Sequence, residues 1–391
     1  ILAQNFEKFL EMLVKGETLN IVAAAESYTQ NNSFSTLSSY APNSTNQVTP
    51  ALIEQVRACW ARLLGVPGLR VSDDIFLHGA HSLKVLRLAK ETGKILGWKL
   101  PPGIIFNTRT CQGTLSSAVP GRQHDQLLAP LSTLTGLPSI FLFPDISGQL
   151  FSQRFLANEL SSSFDVWGIQ FSVDLDLPDN FEALATRIAN ALISVDSQEP
   201  YHLIGYSFGV QLMAHTAAIL EAEGHAAVHS LIALDALPQA PGQALPELTD
   251  EVRRWTVFAD VIALNQFNTE ANIDEHALRL MNHQERVDFI AEVLSSLSDG
   301  QLLNDAEIVS DLWNTFSYLS QLILPAMPPI NNGVALIASE AGGIGGKGLT
   351  EWQAVCPQPS HYVCGGDHHS MLSAPHVRQV ADIILKICQA G

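Results

Sequence analysis

Basic residues are scarce in this sequence. Its 391 residues include 21 Lys and Arg against 39 Asp and Glu, so the formal net charge at pH 7 is −18. A chain with this charge repels the phosphate groups of nucleic acids and of anionic membranes. A run of about 18 apolar residues, the length that spans a bilayer, is also absent. We therefore expect neither nucleic acid nor a membrane among the partners.

Cysteine is rare as well. The five cysteines are odd in number and widely spaced, and no two of them form a Cys-x-x-Cys pair. This excludes a disulfide framework and a zinc site of the usual spacing, and it indicates a reducing compartment, so we expect a cytoplasmic protein. Asp367, His368, His369 and His376 are close in sequence, but no second set at metal spacing accompanies them. No metal is predicted.

The beginning of the sequence has no initiator Met and no basic residues before an apolar run. It predicts no signal peptide, and we interpret the chain as a piece of a longer one. Apolar residues at helical spacing predict that residues 1–20 are the tail of a preceding domain. Residues 21–50 are rich in Ser, Thr, Asn and Gln and have few apolar anchors, which predicts a flexible linker.

A small helical domain is predicted over residues 51–120. Apolar residues at helical spacing form one stripe that includes Val56 and Trp60, and a second stripe in a helix that begins at Ser82. We expect four helices in this domain. Residues 121–137, which Pro and Gly punctuate, predict a second linker.

The pattern changes to short apolar runs that alternate with helices over residues 138–391. Continuous β-rich runs indicate strands buried on both faces of a parallel sheet, so the predicted fold is a doubly wound, mostly parallel α/β domain. In residues 236–330 this alternation stops and amphipathic helical segments take over, which predicts a helical lid. The predicted strands are 140–144, 166–171, 202–206, 231–234, 334–338 and 362–364.

One serine stands in a pattern typical of a nucleophile. Ser207 is the centre of a Gly-x-Ser-x-Gly sequence that follows a predicted strand and precedes a predicted helix. The sharp turn between strand and helix needs glycines, and it leaves the serine hydroxyl exposed above the sheet edge. The pentapeptide alone occurs by chance, but its position between strand and helix favours a nucleophile.

A serine hydroxyl needs a base and a carboxylate that orients the base. Asp235 ends the strand 231–234, on the same edge of the sheet as Ser207, although a helix cap or a turn residue would look the same in sequence. His368 and His369 both follow the last strand and compete for the role of base, and a structural imidazole is the alternative for each. For the oxyanion we expect the backbone N–H groups of Phe208 and Ile146.

These motifs carry a family resemblance. Phe143-Pro144-x-x-x-Gly148, the Ser207 turn, Asp235 and the Gly-Asp-His sequence at 366–368 resemble the thioesterase domains of nonribosomal peptide synthetases, polyketide synthases and animal fatty acid synthases. The resemblance covers residues 138–391 and implies an α/β-hydrolase fold with His368 as the base. Val210 departs from the pattern, because many members of the family have a second glycine there.

The helical domain resembles the carrier (thiolation) domains of the same assembly lines, which produce secondary metabolites. Gly79-Ala80-His81-Ser82-Leu83 carries this likeness, and the resemblance implies 4′-phosphopantetheine attached to Ser82. A helix start also suits a phosphodiester physically, because free N–H groups and the helix dipole favour an anion there. The alternative for Ser82 is a common N-cap serine.

A glycine-rich sequence in the α/β domain suggests a different chemistry. Residues 343–348 satisfy Gly-x-Gly-x-x-Gly, the pattern of a dinucleotide site. No clear helix is predicted after it, and it falls late in the domain, whereas a dinucleotide motif opens a βαβ unit. We interpret it as a loop.

The sequence as a whole is therefore interpreted as a C-terminal carrier and thioesterase fragment of a nonribosomal peptide synthetase, or of a hybrid with a polyketide synthase. It is expected to release a thioester-bound chain through an acyl group on Ser207, by hydrolysis or macrocyclisation. Two alternatives stay open: release by Claisen or Dieckmann carbon–carbon bond formation, and an esterase fused to an unmodified interaction module. The implied partners are upstream synthetase domains, a phosphopantetheinyl transferase and an acyl or peptidyl thioester.

Overall fold

The structure is a computed structural model of the 391-residue chain. It describes residues 49–80, 82–98, 100, 102–117, 127–171, 175–195, 201–224, 228–239, 241–242, 248–297, 305–342 and 344–390. The predicted domain tail over residues 1–20 and all but the end of the linker over residues 21–50 lie outside the described residues. The chain divides into two compact units, one made mostly of residues up to Arg122 and the other mostly of residues from Gln123 onward.

The first unit contains four α-helices among the described residues. They are α1 (Pro50–Leu64), α2 (Ser82–Leu96), α3 (Pro102–Thr108) and α4 (Cys111–Ser117). The side chain of Thr49 caps the start of α1, and Gly65, at a φ of 72°, ends it in the left-handed conformation that glycine adopts readily. Trp60 of α1 donates to the Thr92 hydroxyl of α2 at 2.8 Å inside the core, so the apolar stripes predicted from sequence face each other.

The second unit is built on a seven-stranded sheet in the order β1-β3-β2-β4-β5-β6-β7. Only β1 is antiparallel to its neighbour, β3, and the other pairs are parallel. The strands are β1 (Leu128–Pro130), β2 (Ser139–Phe143), β3 (Asp165–Ile169), β4 (Tyr201–Tyr206), β5 (Val228–Leu234), β6 (Ala335–Ser339) and β7 (Ser360–Cys364). The mostly parallel, doubly wound sheet predicted from the apolar runs is confirmed.

Helices cover both faces of this sheet. Side chains alternate along each strand, so Ile140 of β2 belongs to one apolar core and its neighbour Phe141 to the other. The core with Ile140 is closed by α5 (Gln153–Leu160) and α13 (Val377–Ala390). The core with Phe141 is closed by α6 (Phe181–Ile193) and α7 (Gly209–Glu223).

Four helices lie between β5 and β6 among the described residues of that connection, where the lid is predicted. They are α8 (Glu251–Phe267), α9 (Glu275–Arg279), α10 (His283–Leu297) and α11 (Ala306–Gln321). The indole rings of Trp255 in α8 and Trp313 in α11 stack with centroids 3.5 Å apart. Because aromatic pairs of this kind add to the free energy gained by burial, α8 and α11 form one packed element.

Two details of the sequence analysis are wrong. Strand β1 lies inside the linker expected over residues 121–137; it is three residues long and ends in Pro130, so it has too little pattern to detect, and an edge strand tolerates proline. A helix, α12 (Gly345–Gln353), does begin within the glycine-rich sequence at 343–348. A Cβ on Gly348 would lie 2.4 Å from Cγ2 of Ile344, so this glycine is explained by tight packing.

No helix in the described part of the chain is long and apolar enough to cross a membrane. Within the same residues, no three His, Cys, Asp or Glu side chains are grouped so that they could hold a metal ion.

Candidate active site

Ser207 lies in the sharp turn between β4 and α7. Its φ is 53°, a left-handed backbone conformation that is uncommon outside glycine. A Cβ on Gly205 would lie 2.5 Å from the Cα of Val210, and one on Gly209 would lie 2.4 Å from the carbonyl oxygen of Pro144. Both glycines of the motif are therefore required by close backbone contacts. Val210 itself is buried in the core, so the departure from the family pattern is accommodated at that position.

His368 lies in the loop between β7 and α13, and its imidazole contacts two other predicted site residues. Its Nε2 is 3.2 Å from the Ser207 hydroxyl oxygen, and its Nδ1 is 2.9 Å from Oδ2 of Asp235. The structure thus brings together Ser207, His368 and Asp235 from three loops at the carboxyl edge of the sheet. This is the arrangement in which an imidazole can accept a proton from a serine hydroxyl while a carboxylate orients the ring.

Asp235 is buried directly after β5, with 2% of its surface exposed and a φ of 46°. Its second carboxylate oxygen accepts a hydrogen bond from the Ser339 backbone N–H at 2.8 Å. Burial by itself raises the pKa of this carboxyl, but the hydrogen bonds from His368 and Ser339 outweigh burial and leave the pKa below its usual value. The group is therefore held as a carboxylate, the form that orients an imidazole.

His369 is held differently from its neighbour. Its backbone N–H donates to the Asp367 carboxylate at 3.0 Å, and its Nδ1 is buried without a hydrogen-bond partner among the described residues. Burial and the adjacent His368 lower the pKa of its imidazole. The two rings are nearly perpendicular, which is why only the His368 ring lies between Ser207 and Asp235.

Tyr206 is a site residue that the sequence analysis missed. Its hydroxyl donates to the carbonyl oxygen of His368 at 2.6 Å, and its ring stacks on the imidazole with centroids 5.1 Å apart. Burial raises the pKa of this phenol well above its usual value, and the nearby carboxylates raise it further, so the hydroxyl remains a donor. Tyr206 occupies the first variable position of the Gly-x-Ser-x-Gly motif, and the motif says nothing about that side chain.

Ile146 and Phe208, the two residues predicted to supply the oxyanion hole, lie in neighbouring segments. The contact of Gly209 with Pro144 places the loop after β2 against the Ser207 turn. Within the described residues, neither the N–H of Ile146 nor that of Phe208 donates to a protein acceptor. Two free donors in adjacent segments are what binding a developing oxyanion requires.

Ser82 is the first residue of α2, a 15-residue helix with no acidic residue in its first turn. The free N–H groups and the dipole at such a helix start favour a negatively charged group, and no carboxylate in the first turn opposes one. The residues present therefore fit a phosphodiester attached at this position. The side chain of Ser82 lies outside the described part of the structure.

Comparisons with known proteins match both units. The family described as "Thioesterase domain" matches residues 138–388, and the one described as "Phosphopantetheine attachment site" matches residues 54–115. One of the proteins that make up mycosubtilin synthase in Bacillus subtilis is 30% identical over 189 residues, which are 47% of this chain and 7% of that protein. Vanchrobactin synthetase VabF of Vibrio anguillarum is 26% identical over 349 residues, 86% of this chain and 11% of that protein.

A solved structure of a four-domain nonribosomal peptide synthetase in its holo form, bound to AMP and glycine, also resembles this chain. The TM-score is 0.62 at 20% identity, and the match covers 92% of this chain and 28% of that one. The chain thus spans a small fraction of the length of the relatives it matches. The resemblance expected from the motifs is confirmed, and so is the expected phosphopantetheine attachment domain. The chain belongs to the thioesterase domain family, and a phosphopantetheine attachment domain precedes its thioesterase domain.

Proposed function

We propose that this chain releases an acyl or peptidyl chain from a thioester through an ester formed on Ser207. The observation that carries the proposal is the run of two hydrogen bonds from Ser207 through His368 to Asp235, in a chain that belongs to the thioesterase domain family. A thioester is the substrate because a phosphopantetheine attachment domain lies in the same chain. When attached, phosphopantetheine supplies the thiol on which acyl groups are carried.

In this proposal, His368 removes the proton from the Ser207 hydroxyl as the oxygen attacks the thioester carbonyl. Asp235 keeps the imidazole in the tautomer with Nε2 free and stabilises the imidazolium that forms. The N–H groups of Ile146 and Phe208 bind the oxyanion. His368 then protonates the leaving thiolate, and the acyl group remains on Ser207.

Release follows when a second nucleophile attacks the ester on Ser207. His368 removes a proton from water, which gives hydrolysis, or from a hydroxyl or amine of the acyl chain, which gives a ring. The relatives that the chain matches are several times longer than the chain itself, so we propose that upstream synthetase domains supply the acyl group. The match to a phosphopantetheine attachment site argues against an unmodified interaction module.

Ser82 is the predicted attachment point. Incubation of the purified chain with a phosphopantetheinyl transferase and coenzyme A should add the mass of one phosphopantetheine group, and Ser82→Ala should gain nothing. Ser117→Ala, an exposed serine in α4, is the matched control and should be modified fully. Intact-protein mass spectrometry measures all three proteins, and modification of Ser82→Ala would transfer the site to another residue.

Tyr206→Phe should slow the reaction modestly. The change removes the hydrogen bond to the His368 carbonyl and keeps the stacked ring, so the imidazole is less well held but still present. We expect kcat to fall about 3- to 10-fold, the loss of a neutral hydrogen bond of about 1 kcal/mol. Steady-state kinetics on the octanoyl thioester of N-acetylcysteamine measures this, and an unchanged kcat would remove Tyr206 from the site.

A further inference from the structure

The loop after β2 is joined to the lid by a buried polar contact. The amide nitrogen of Asn265, in α8, donates to Oδ2 of Asp145 at 2.7 Å. Asp145 has 5% of its surface exposed, so its carboxylate needs protein donors. The amide oxygen of Asn265 is buried without a partner in the described part of the chain, so the bond to Asp145 is the contact that holds this side chain.

The other carboxylate oxygen of Asp145 shapes the loop itself. It accepts hydrogen bonds from the backbone N–H of Ser147, at 2.8 Å, and from the Ser147 hydroxyl. The N–H of Gly148 also donates to the Asp145 carbonyl oxygen at 3.0 Å. These bonds enclose Ile146, so the position of the Asp145 carboxylate determines the direction of the Ile146 N–H.

The loop is held between the Ser207 turn and the lid. On one side, Pro144 contacts Gly209. On the other, a Cβ on Gly148 would lie 2.8 Å from Cγ2 of Thr315 and 2.9 Å from Cδ1 of Leu319, both in α11. Because α8 and α11 are packed together through Trp255 and Trp313, a shift of the lid moves every lid contact of this loop at once.

We propose that Asn265 is a positioning residue through which the lid completes the oxyanion hole. By holding Asp145, Asn265 keeps the Ile146 N–H directed at the oxyanion of the Ser207 adduct. The energy that a preorganised donor contributes depends on small differences of distance and angle, so release of Asp145 should weaken catalysis without removing a reacting group. This inference rests on the function proposed above.

The test compares Asn265→Ala and Asn265→Asp with Asn314→Ala, an exposed asparagine in lid helix α11. For Asn265→Ala, we expect kcat on the octanoyl thioester of N-acetylcysteamine to fall about 10- to 100-fold, somewhat less than the loss of an oxyanion donor, with KM within about twofold of the wild type. The rate at which an alkyl fluorophosphonate modifies Ser207 should fall similarly, because its phosphoryl oxygen occupies the same hole. Asn265→Asp places a second carboxylate against Asp145 and should be at least as slow. Asn314→Ala should match the wild type.

A double-mutant cycle with Asp145→Asn examines whether the two residues act together. If Asn265 acts through Asp145, the double variant should lose little more than the slower single variant, whereas independent effects would multiply. A wild-type kcat in Asn265→Ala, a change in KM alone, a loss of thermal stability with unchanged kinetics, or multiplying effects would each overturn the inference. Failure of the wild-type protein itself to react with the fluorophosphonate would instead overturn the proposed function.

Discussion

Ser207→Ala should accept an acyl group on phosphopantetheine and keep it. Ser207 is the residue whose hydroxyl meets the His368 imidazole, so alanine removes the atom to which the acyl group transfers. Loss of the nucleophile in serine hydrolases lowers kcat by on the order of 10⁶-fold and leaves a residual rate from the remaining site. We expect a loss of at least about 10⁴-fold in release from the carrier serine, followed by intact-protein mass spectrometry.

The matched control for this change is Ser162→Ala, an exposed serine after α5. It should release the acyl group at the wild-type rate and react with an alkyl fluorophosphonate on Ser207. Both alanine variants should unfold at temperatures close to that of the wild-type protein, because neither removes apolar surface from the core. Release from Ser207→Ala at the wild-type rate would show that Ser207 is not the nucleophile.

His368→Ala should lose release almost as completely as Ser207→Ala, whereas His369→Ala should keep most of it. The imidazole of His368 contacts both Ser207 and Asp235, and no other described base does so. Removal of the base costs about as much as removal of the nucleophile, because the groups act as a unit. Removal of His369 changes the surroundings of the site and should lower kcat by less than about tenfold.

The two histidine variants are each other's control, since they differ by one position in the same loop. A single-turnover assay on acylated carrier separates chemistry from product release, and circular dichroism shows that both proteins are folded. The double variant Ser207→Ala/His368→Ala should be no slower than the slower single variant, because the two side chains perform one step. A larger loss in His369→Ala than in His368→Ala would assign the role of base to His369.

The products of the wild-type protein distinguish the modes of release. A linear acid indicates hydrolysis, a lactone or lactam indicates attack by a group of the acyl chain, and a new carbon–carbon bond indicates a Claisen or Dieckmann reaction. The same three side chains serve each mode, so these outcomes depend on the shape of the pocket and on its access to water.

Local patterns in the sequence determined the fold and the Ser207 turn. Apolar runs of strand length and their alternation with helical stripes predict a parallel sheet because burial on both faces demands such runs. The glycines that flank Ser207 are required by backbone contacts within a few residues, so they are visible in sequence. By contrast, β1 has three residues and no such pattern, and its pairing with β3 depends on the position of the sheet edge.

Contacts between distant residues were decided only by the tertiary structure. The choice of His368 over His369 depends on the directions of two adjacent side chains in one loop, and sequence alone supported it only through a family resemblance. Tyr206 and Asn265 meet His368 and Asp145 across 162 and 120 residues of chain. No local pattern requires such pairs, because a side-chain hydrogen bond between remote segments follows from the packing of sheet, loops and lid. The sequence by itself therefore determined the fold class and the nucleophile turn, and the packing of the folded chain decided which groups lie around Ser207.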